Sequence, residues 1–185
     1  MLHQLNAIQP LSEQLWERLT TVLDRMTLKR NAHLYRPGQV ANYFFFVESG
    51  LIRRYHHTEE KEITSAFYKE GDLLSSMTTF SPEIREQEYC QALEHSILYC
   101  LTYRDLQLVC RDFPEFNFHL KELMARNAQL NEECLNAIRS QRAADRYKWL
   151  MERLPDLIQR VPPKHLASYI GIAEAMLSRV KGCRV

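Results

Sequence analysis

Six side chains close to the C-terminal end have the types and spacing to hold a nucleic acid. Glu174, Ser178, Arg179 and Lys181 lie close together, with Lys164 and Ser168 a short way upstream. An arginine can donate two parallel hydrogen bonds to O6 and N7 of guanine, a contact worth roughly 1–3 kcal/mol of discrimination between bases. Arg179 is therefore the candidate for base readout, with Ser178 suited to a base edge or a phosphate. Lys164, His165, Ser168 and Lys181 suit phosphate oxygens, which set position on a duplex without specifying sequence.

To act together, these residues need two short helices and a tight turn. Pro162 and Pro163 suit the start of the first helix, where backbone N–H groups have no helical partner. Leu166, Ala167 and Ile170 form one apolar face. Gly171 falls where a helix must end in a left-handed residue. Ile172 is then expected to plug the core, and Met176, Leu177 and Val180 to form the buried stripe of a second helix from about Ala173 through Lys181. This is the plan of a helix-turn-helix, whose second helix enters the major groove. The charge agrees: from Arg139 to Val185 there are ten Lys/Arg and four Asp/Glu, a balance of +6 against −5 for the rest. A basic C-terminal part on an acidic body is the footprint of a nucleic-acid-binding module.

The rest of the chain must position that pair. At 185 residues it can form one large domain or two small ones. Five widely spaced cysteines (Cys90, Cys100, Cys110, Cys134, Cys183) with no C-x-x-C pair point to buried thiols in a reducing cytoplasm, not to disulfides or zinc. No apolar run approaches the ~20 residues of a membrane helix. Met-Leu-His-Gln-Leu-Asn at the start is not the basic-then-apolar pattern of a secretory signal. A Gly-rich phosphate loop, H-E-x-x-H and G-x-S-x-G are all absent, so no enzymatic chemistry is expected.

Apolar spacing predicts a helix over residues 11–29, with Ser12 as its cap. Between His33 and Tyr103, short runs rich in Tyr, Phe, Val and Ile alternate with turns: Tyr43–Val47, Leu51–Tyr55, Ile63–Tyr68, Tyr89–Leu93 and Ile97–Leu101. Gly38, Gly50 and Gly71 stand at boundaries between runs. This spacing predicts an antiparallel sandwich or barrel. From Pro114 the pattern is helical. Phe116, Leu120, Leu123, Asn127, Leu130, Cys134 and Ala137 follow 4-3-4-3-4-3 spacing. A lone Asn at an a position sets coiled-coil register and a two-stranded state, which favours a dimer helix. The alternative is an amphipathic helix packed on its own β-domain. A further helix is expected from about Ala143 to Leu154.

This order resembles the Crp/Fnr family of regulators, similar to the cyclic AMP receptor protein. The resemblance rests on Leu166-Ala-Ser-Tyr-Ile-Gly-Ile172 with Leu177-Ser-Arg179, on Ala144-Asp-Arg-Tyr147, and on Arg36-Pro-Gly38 and Val47-Glu-Ser-Gly50-Leu-Ile-Arg in the β-part. It implies an α+β chain: an antiparallel β-roll of jelly-roll type with an N-terminal helix (1–113), a long dimerisation helix (114–138) and a small helix-turn-helix domain (139–185). It further implies a homodimer on double-stranded DNA, with half-sites about one turn, roughly 34 Å, apart. A ligand in the roll would alter the angle of the DNA-binding parts, and RNA polymerase would be a further partner.

Members that bind cyclic AMP carry Gly-Glu and then an Arg-Ser or Arg-Thr pair after the Gly-Asp turn. Counted from Gly71-Asp72, those positions fall on Ser75-Ser76 and Glu86-Gln87. An acid replaces the phosphate-pairing arginine and repels phosphate. Arg85, one position away, points to the opposite face of a strand. Cyclic AMP is therefore not expected to bind in the usual mode. Ser75, Ser76, Thr78 and Thr79 could hold another ligand or cap an empty roll, the second being favoured. No cofactor is expected: there is no cysteine cluster for iron–sulfur, and His33, His56, His57 and His95 are isolated, so haem is disfavoured. In relatives a Glu three residues before the Ser of Ser-Arg accepts from cytosine; here that position is Ala175, with the acid at Glu174. Many relatives also continue into a two-stranded wing, whereas this sequence stops at Val185, so weaker backbone contact is expected. The competing reading is a sensor or interaction protein whose altered helix-turn-helix no longer binds DNA.

Overall fold

Short apolar and aromatic runs separated by turns build two four-stranded sheets in the computed structural model of the protein. It describes residues 1–40, 42–75, 84–139 and 142–182. Helices α1 (Leu2–Ile8) and α2 (Glu13–Val22) precede strands β1 (Asp24–Leu28), β2 (His33–Tyr35), β3 (Tyr43–Ser49), β4 (Ile52–His57), β5 (Glu62–Tyr68), β6 (Leu73–Leu74), β7 (Tyr89–Ala92) and β8 (Ser96–Thr102). Helices α3 (Tyr103–Asp112), α4 (Pro114–Ile138), α5 (Ala143–Arg153), α6 (Pro155–Arg160), α7 (Pro163–Tyr169) and α8 (Glu174–Gly182) complete the chain. The sheets have the orders β1-β8-β3-β6 and β2-β7-β4-β5. The five aromatic and β-branched runs all form strands, as expected.

The chain divides into two compact units. One comprises Met1–Arg54 and Phe67–Asn127, the other Tyr55–Ala66 and Ala128–Val185. The boundary thus falls inside α4, and the outer end of the β4–β5 hairpin belongs with the C-terminal helices.

In the first unit, β8 is one of the two inner strands of its sheet. It pairs antiparallel with β1 (Asp24 opposite Cys100, Leu28 opposite Ser96) and with β3 (Tyr43 opposite Thr102). Phe44, Phe46, Leu73 and Leu101 bury their side chains with Leu5, Leu15, Leu19, Leu106, Val109, Phe116 and Leu123 of the surrounding helices. Each such side chain contributes roughly 1.5–3 kcal/mol when fully buried. Ser12 caps α2 by accepting from the Leu15 N–H at 3.2 Å, and Thr102 caps α3 by accepting from Asp105 N–H at 3.0 Å. Gly50 adopts φ +103°, and a Cβ on it would lie 2.2 Å from Ser96 Oγ. Only glycine fits both constraints.

Two expectations are corrected here. The helix expected over 11–29 stops at Val22, and Asp24–Leu28 instead forms β1 with Met26 exposed. Five cross-strand partners on β8 outweigh the helical spacing. The 4-3-4-3 stripe of α4 is an inward face. Phe116 and Leu123 belong to the chain's own core, and Leu120 packs against it. Asn127 Nδ2 donates to the Leu73 carbonyl at 2.5 Å, Leu130 is half-buried and Cys134 is buried. The amphipathic-helix alternative describes these residues. Phe118, Met124 and Leu135 are the large apolar side chains of α4 that stand exposed.

The second unit buries Tyr147, Leu150, Leu154, Leu157, Leu166, Ile170 and Leu177 among its helices. Arg153 closes it with a two-point ion pair to Glu133, Nε–Oε2 2.6 Å and Nη2–Oε1 2.9 Å. This pairing holds the Glu133 carboxyl below its ordinary range.

Candidate nucleic-acid interface

The segment expected to be a helix-turn-helix consists of α7 and α8 joined at Gly171, which has φ +64°. Pro162 is the N-cap of α7 and Pro163 its first residue. Leu166, Ala167 and Ile170 are buried, as the sequence pattern requires. The Ile172 N–H bonds back to the Ala167 carbonyl at 2.9 Å and Gly171 N–H to Ser168 carbonyl at 3.3 Å, closing the helix end. Arg146 of α5 secures the same turn: its Nη1 donates to the carbonyl of Gly171 at 2.8 Å and of Ile170 at 3.4 Å. Arg146 sits in the Ala144–Tyr147 motif, but nothing in its spacing announces this role.

On α8, Leu177 is fully buried. At about 100° per residue, Arg179 lies about 200° round from it, on the outward side. Glu174, Ser178, Arg179 and Lys181 are all exposed, and so is Lys164 on α7. The stripe expected on α8 is narrower than its pattern implied. Val180 is half-buried and Met176 is 41% exposed, being one residue and about 100° away from Leu177. His165 is buried, so its ring is not presented to a phosphate.

Ser168 is half-buried and already engaged. Its hydroxyl accepts from the Thr64 N–H at 2.8 Å and donates to the Glu62 carbonyl at 3.0 Å. Lys61, Glu62 and Ile63 of the hairpin end share a cleft of about 610 Å³ with Lys164, Ser168, Ala173 and Glu174.

In the first unit, the residues expected to shape a ligand pocket are only partly described. Ser75 is half-buried, Glu86 is buried and Gln87 is exposed; Ser76, Thr78 and Thr79 lie outside the described residues. Glu86 bonds through its backbone, its N–H to the Gln39 carbonyl and its carbonyl to Gly38 N–H, both at 2.9 Å. A cation that no sequence motif marks lies nearby. Arg54 on β4 pairs with Glu88 (Nε–Oε2 3.0 Å) and lies 5.6 Å over the Tyr68 ring. Burial works against its charge, but Tyr68, Glu88, Tyr35 and Cys90 together outweigh it and hold the guanidinium pKa up. Burial also pushes the Cys90 thiol up to about 12, keeping it protonated and unreactive. Among the described residues no group of three or more His, Cys, Asp or Glu could hold a metal ion, and no helix is long and apolar enough to cross a membrane.

Residues 25–113 match the family model of the cyclic nucleotide-binding domain. No curated protein matches the chain. Among solved structures, the c-di-GMP responsive global regulator CLP of Xanthomonas campestris is 17% identical. The alignment covers 92% of this chain and 90% of that one, with a TM-score of 0.72. A CooA mutant from Carboxydothermus hydrogenoformans is 21% identical over 98% of this chain and 82% of that one, with a TM-score of 0.69. The Thermus thermophilus catabolite activator protein is 21% identical over 97% and 85%, with a TM-score of 0.56. These likenesses run from the roll through the long helix and bear out the resemblance to the Crp/Fnr regulators at the level of fold.

Proposed function

We propose that this protein of Crp/Fnr fold is a homodimeric transcription regulator that reads duplex DNA through α8. The observation that carries this is the outward Arg179, opposite buried Leu177 on the second helix of a turn closed by Arg146 and Gly171. Arg179 reads bases; Ser178 and Glu174 flank it; Lys164 and Lys181 hold phosphates. The solved relatives include a global regulator and an activator protein, which supports regulation over catalysis. RNA polymerase is the further partner an activator requires. The described cysteines are free thiols, which supports work in a reducing cytoplasm.

Dimerisation uses the exposed side of α4. Met124 and Leu135 are eleven residues apart, about three turns, and so share one side of the helix. The roll does not take cyclic AMP in the usual mode. Glu86 stands where the family resemblance places a phosphate-pairing arginine, and a buried acid there repels the cyclic phosphate. A flat isotherm with cyclic AMP and cyclic GMP up to millimolar is expected, and micromolar binding would overturn this part.

The test of DNA binding is a salt titration on a labelled random-sequence duplex. Log affinity should fall linearly with log salt, with a slope that scales with the phosphates contacted. Lys164→Ala should reduce the slope by about one. Salt-independent binding, or none, would favour a sensor that signals by protein contact alone.

A further inference from the structure

We infer that Ser168 and the outer edge of β5 form a latch that withholds α7 from DNA; this rests on the reading of α7–α8 as the DNA-binding pair. β5 is the last strand of its sheet. An edge strand presents N–H and C=O groups that no neighbouring strand satisfies. Groups two residues apart face the same edge, and Ser168 bonds to two such groups, the Thr64 N–H at 2.8 Å and the Glu62 carbonyl at 3.0 Å. A serine hydroxyl has a single proton to donate. While that proton goes to Glu62, Ser168 cannot donate to a phosphate oxygen.

The latch also covers ground. Lys61, Glu62 and Ile63 line one cleft with Lys164 and with Ala173 and Glu174 at the start of α8. A duplex backbone seated on Lys164 must displace them. The two carboxylates of the cleft, Glu62 and Glu174, are matched by Lys61 and Lys164, so the latch acts through occupied hydrogen bonds and covered ground and not through net charge.

The hairpin links this contact to the roll through the chain itself. β4 carries Arg54 and β5 carries Tyr68, the cation and ring that stack 5.6 Å apart. A ligand that engages Arg54 or Tyr68 therefore acts on the two strands whose outer end is the latch.

Thr64→Pro tests this directly. The substitution removes the N–H that bonds Ser168, and proline is tolerated on an edge strand where that N–H faces away from the neighbouring strand. All proposed DNA-contacting residues stay intact. Removing one such bond should tighten binding of a labelled random-sequence duplex roughly fivefold, whereas Thr64→Val, which keeps the N–H, should match the wild type. Equal affinity for Thr64→Pro and wild type would overturn the latch and leave DNA binding standing. No binding by any of the three would remove both. Amide exchange of the wild-type full chain decides the matter independently of any variant. The Thr64 amide should be protected in the free protein and exchange faster when duplex is bound; unchanged protection on bound duplex would overturn the latch.

Discussion

The first unit buries its apolar surface through strands far apart in sequence, such as β3 and β8, where Tyr43 lies opposite Thr102. The second, apart from its hairpin end, buries its own among α5, α6, α7 and α8, which follow one another along the chain. The two also differ in what fixes their turns. Gly50 is held by lack of space beside Ser96, whereas the Gly171 turn is held by the guanidinium of Arg146. The Gly50 turn of the roll has no slack. A helix pair tied by a few polar bonds can exchange them for bonds to a ligand, which suits the part proposed to meet DNA.

The largest expected effect follows from the tight turn. Gly50→Ala forces a Cβ to 2.2 Å from Ser96 Oγ and 2.6 Å from its Cα in a left-handed backbone. The cost should be about 3–5 kcal/mol in urea unfolding. A loss under about 1 kcal/mol would mean that the turn can relax after all.

Leu177→Ala should cost about 2–5 kcal/mol, confined to the second unit. The two tryptophans provide separate probes, Trp16 in the first unit and Trp149 in the second. With Trp149→Phe or Trp16→Phe as backgrounds, the Trp149 transition should move to lower urea while the Trp16 transition stays put. Coincident shifts would show one cooperative block and break the comparison.

A smaller effect is expected at the polar tie. Arg146→Met removes the bonds to the Gly171 and Ile170 carbonyls and should cost about 1–2 kcal/mol, again in the Trp149 transition alone. It should also weaken duplex binding, because α8 loses its fixed start.

The smallest concerns pH and the first unit. His119 is 1% exposed, and among the described residues neither ring nitrogen has a hydrogen-bond partner. Burial lowers its pKa, against a weaker opposing effect of Glu115. The unfolded chain therefore takes up a proton near His119's ordinary value of 6.5 while the folded one resists. Stability is full above that pH and falls as pH drops through it. His119→Leu should flatten the fall in the Trp16 transition between neutral and mildly acidic pH. An unchanged slope would assign the acid sensitivity elsewhere.

Much of this architecture was legible in residues. The apolar and aromatic runs from Tyr43 to Leu101 are separated by turns at regular spacing, and Gly171 between two apolar stripes marks the turn of a helix pair. Where sequence reasoning failed, tertiary partners decided. Residues 24–28 carry a helix-like spacing but find β8. The α4 stripe reads equally well as a coiled-coil seam or an inner face, and only the core formed by Phe44, Phe46 and Leu106 separates the two. Met176 shares the i, i+1, i+4 spacing of the buried Leu166, Ala167 and Ile170 and yet stands exposed, because burial on α8 is confined to Leu177. The polar ties left no trace in sequence: Ser168 on the β5 edge, Arg146 on the turn and Arg54 on Tyr68 join residues whose separation carries no periodic signal.

The central claim is that α8 reads base sequence as part of a symmetric dimer. The most direct measurement is selection of bound sequences from a random-duplex library, with Arg179→Ala run in parallel. The account predicts a two-fold symmetric motif, half-sites about one turn or roughly 34 Å apart, whose enrichment Arg179→Ala abolishes. An enriched motif that survives Arg179→Ala, or bound duplex with no motif at all, would contradict it.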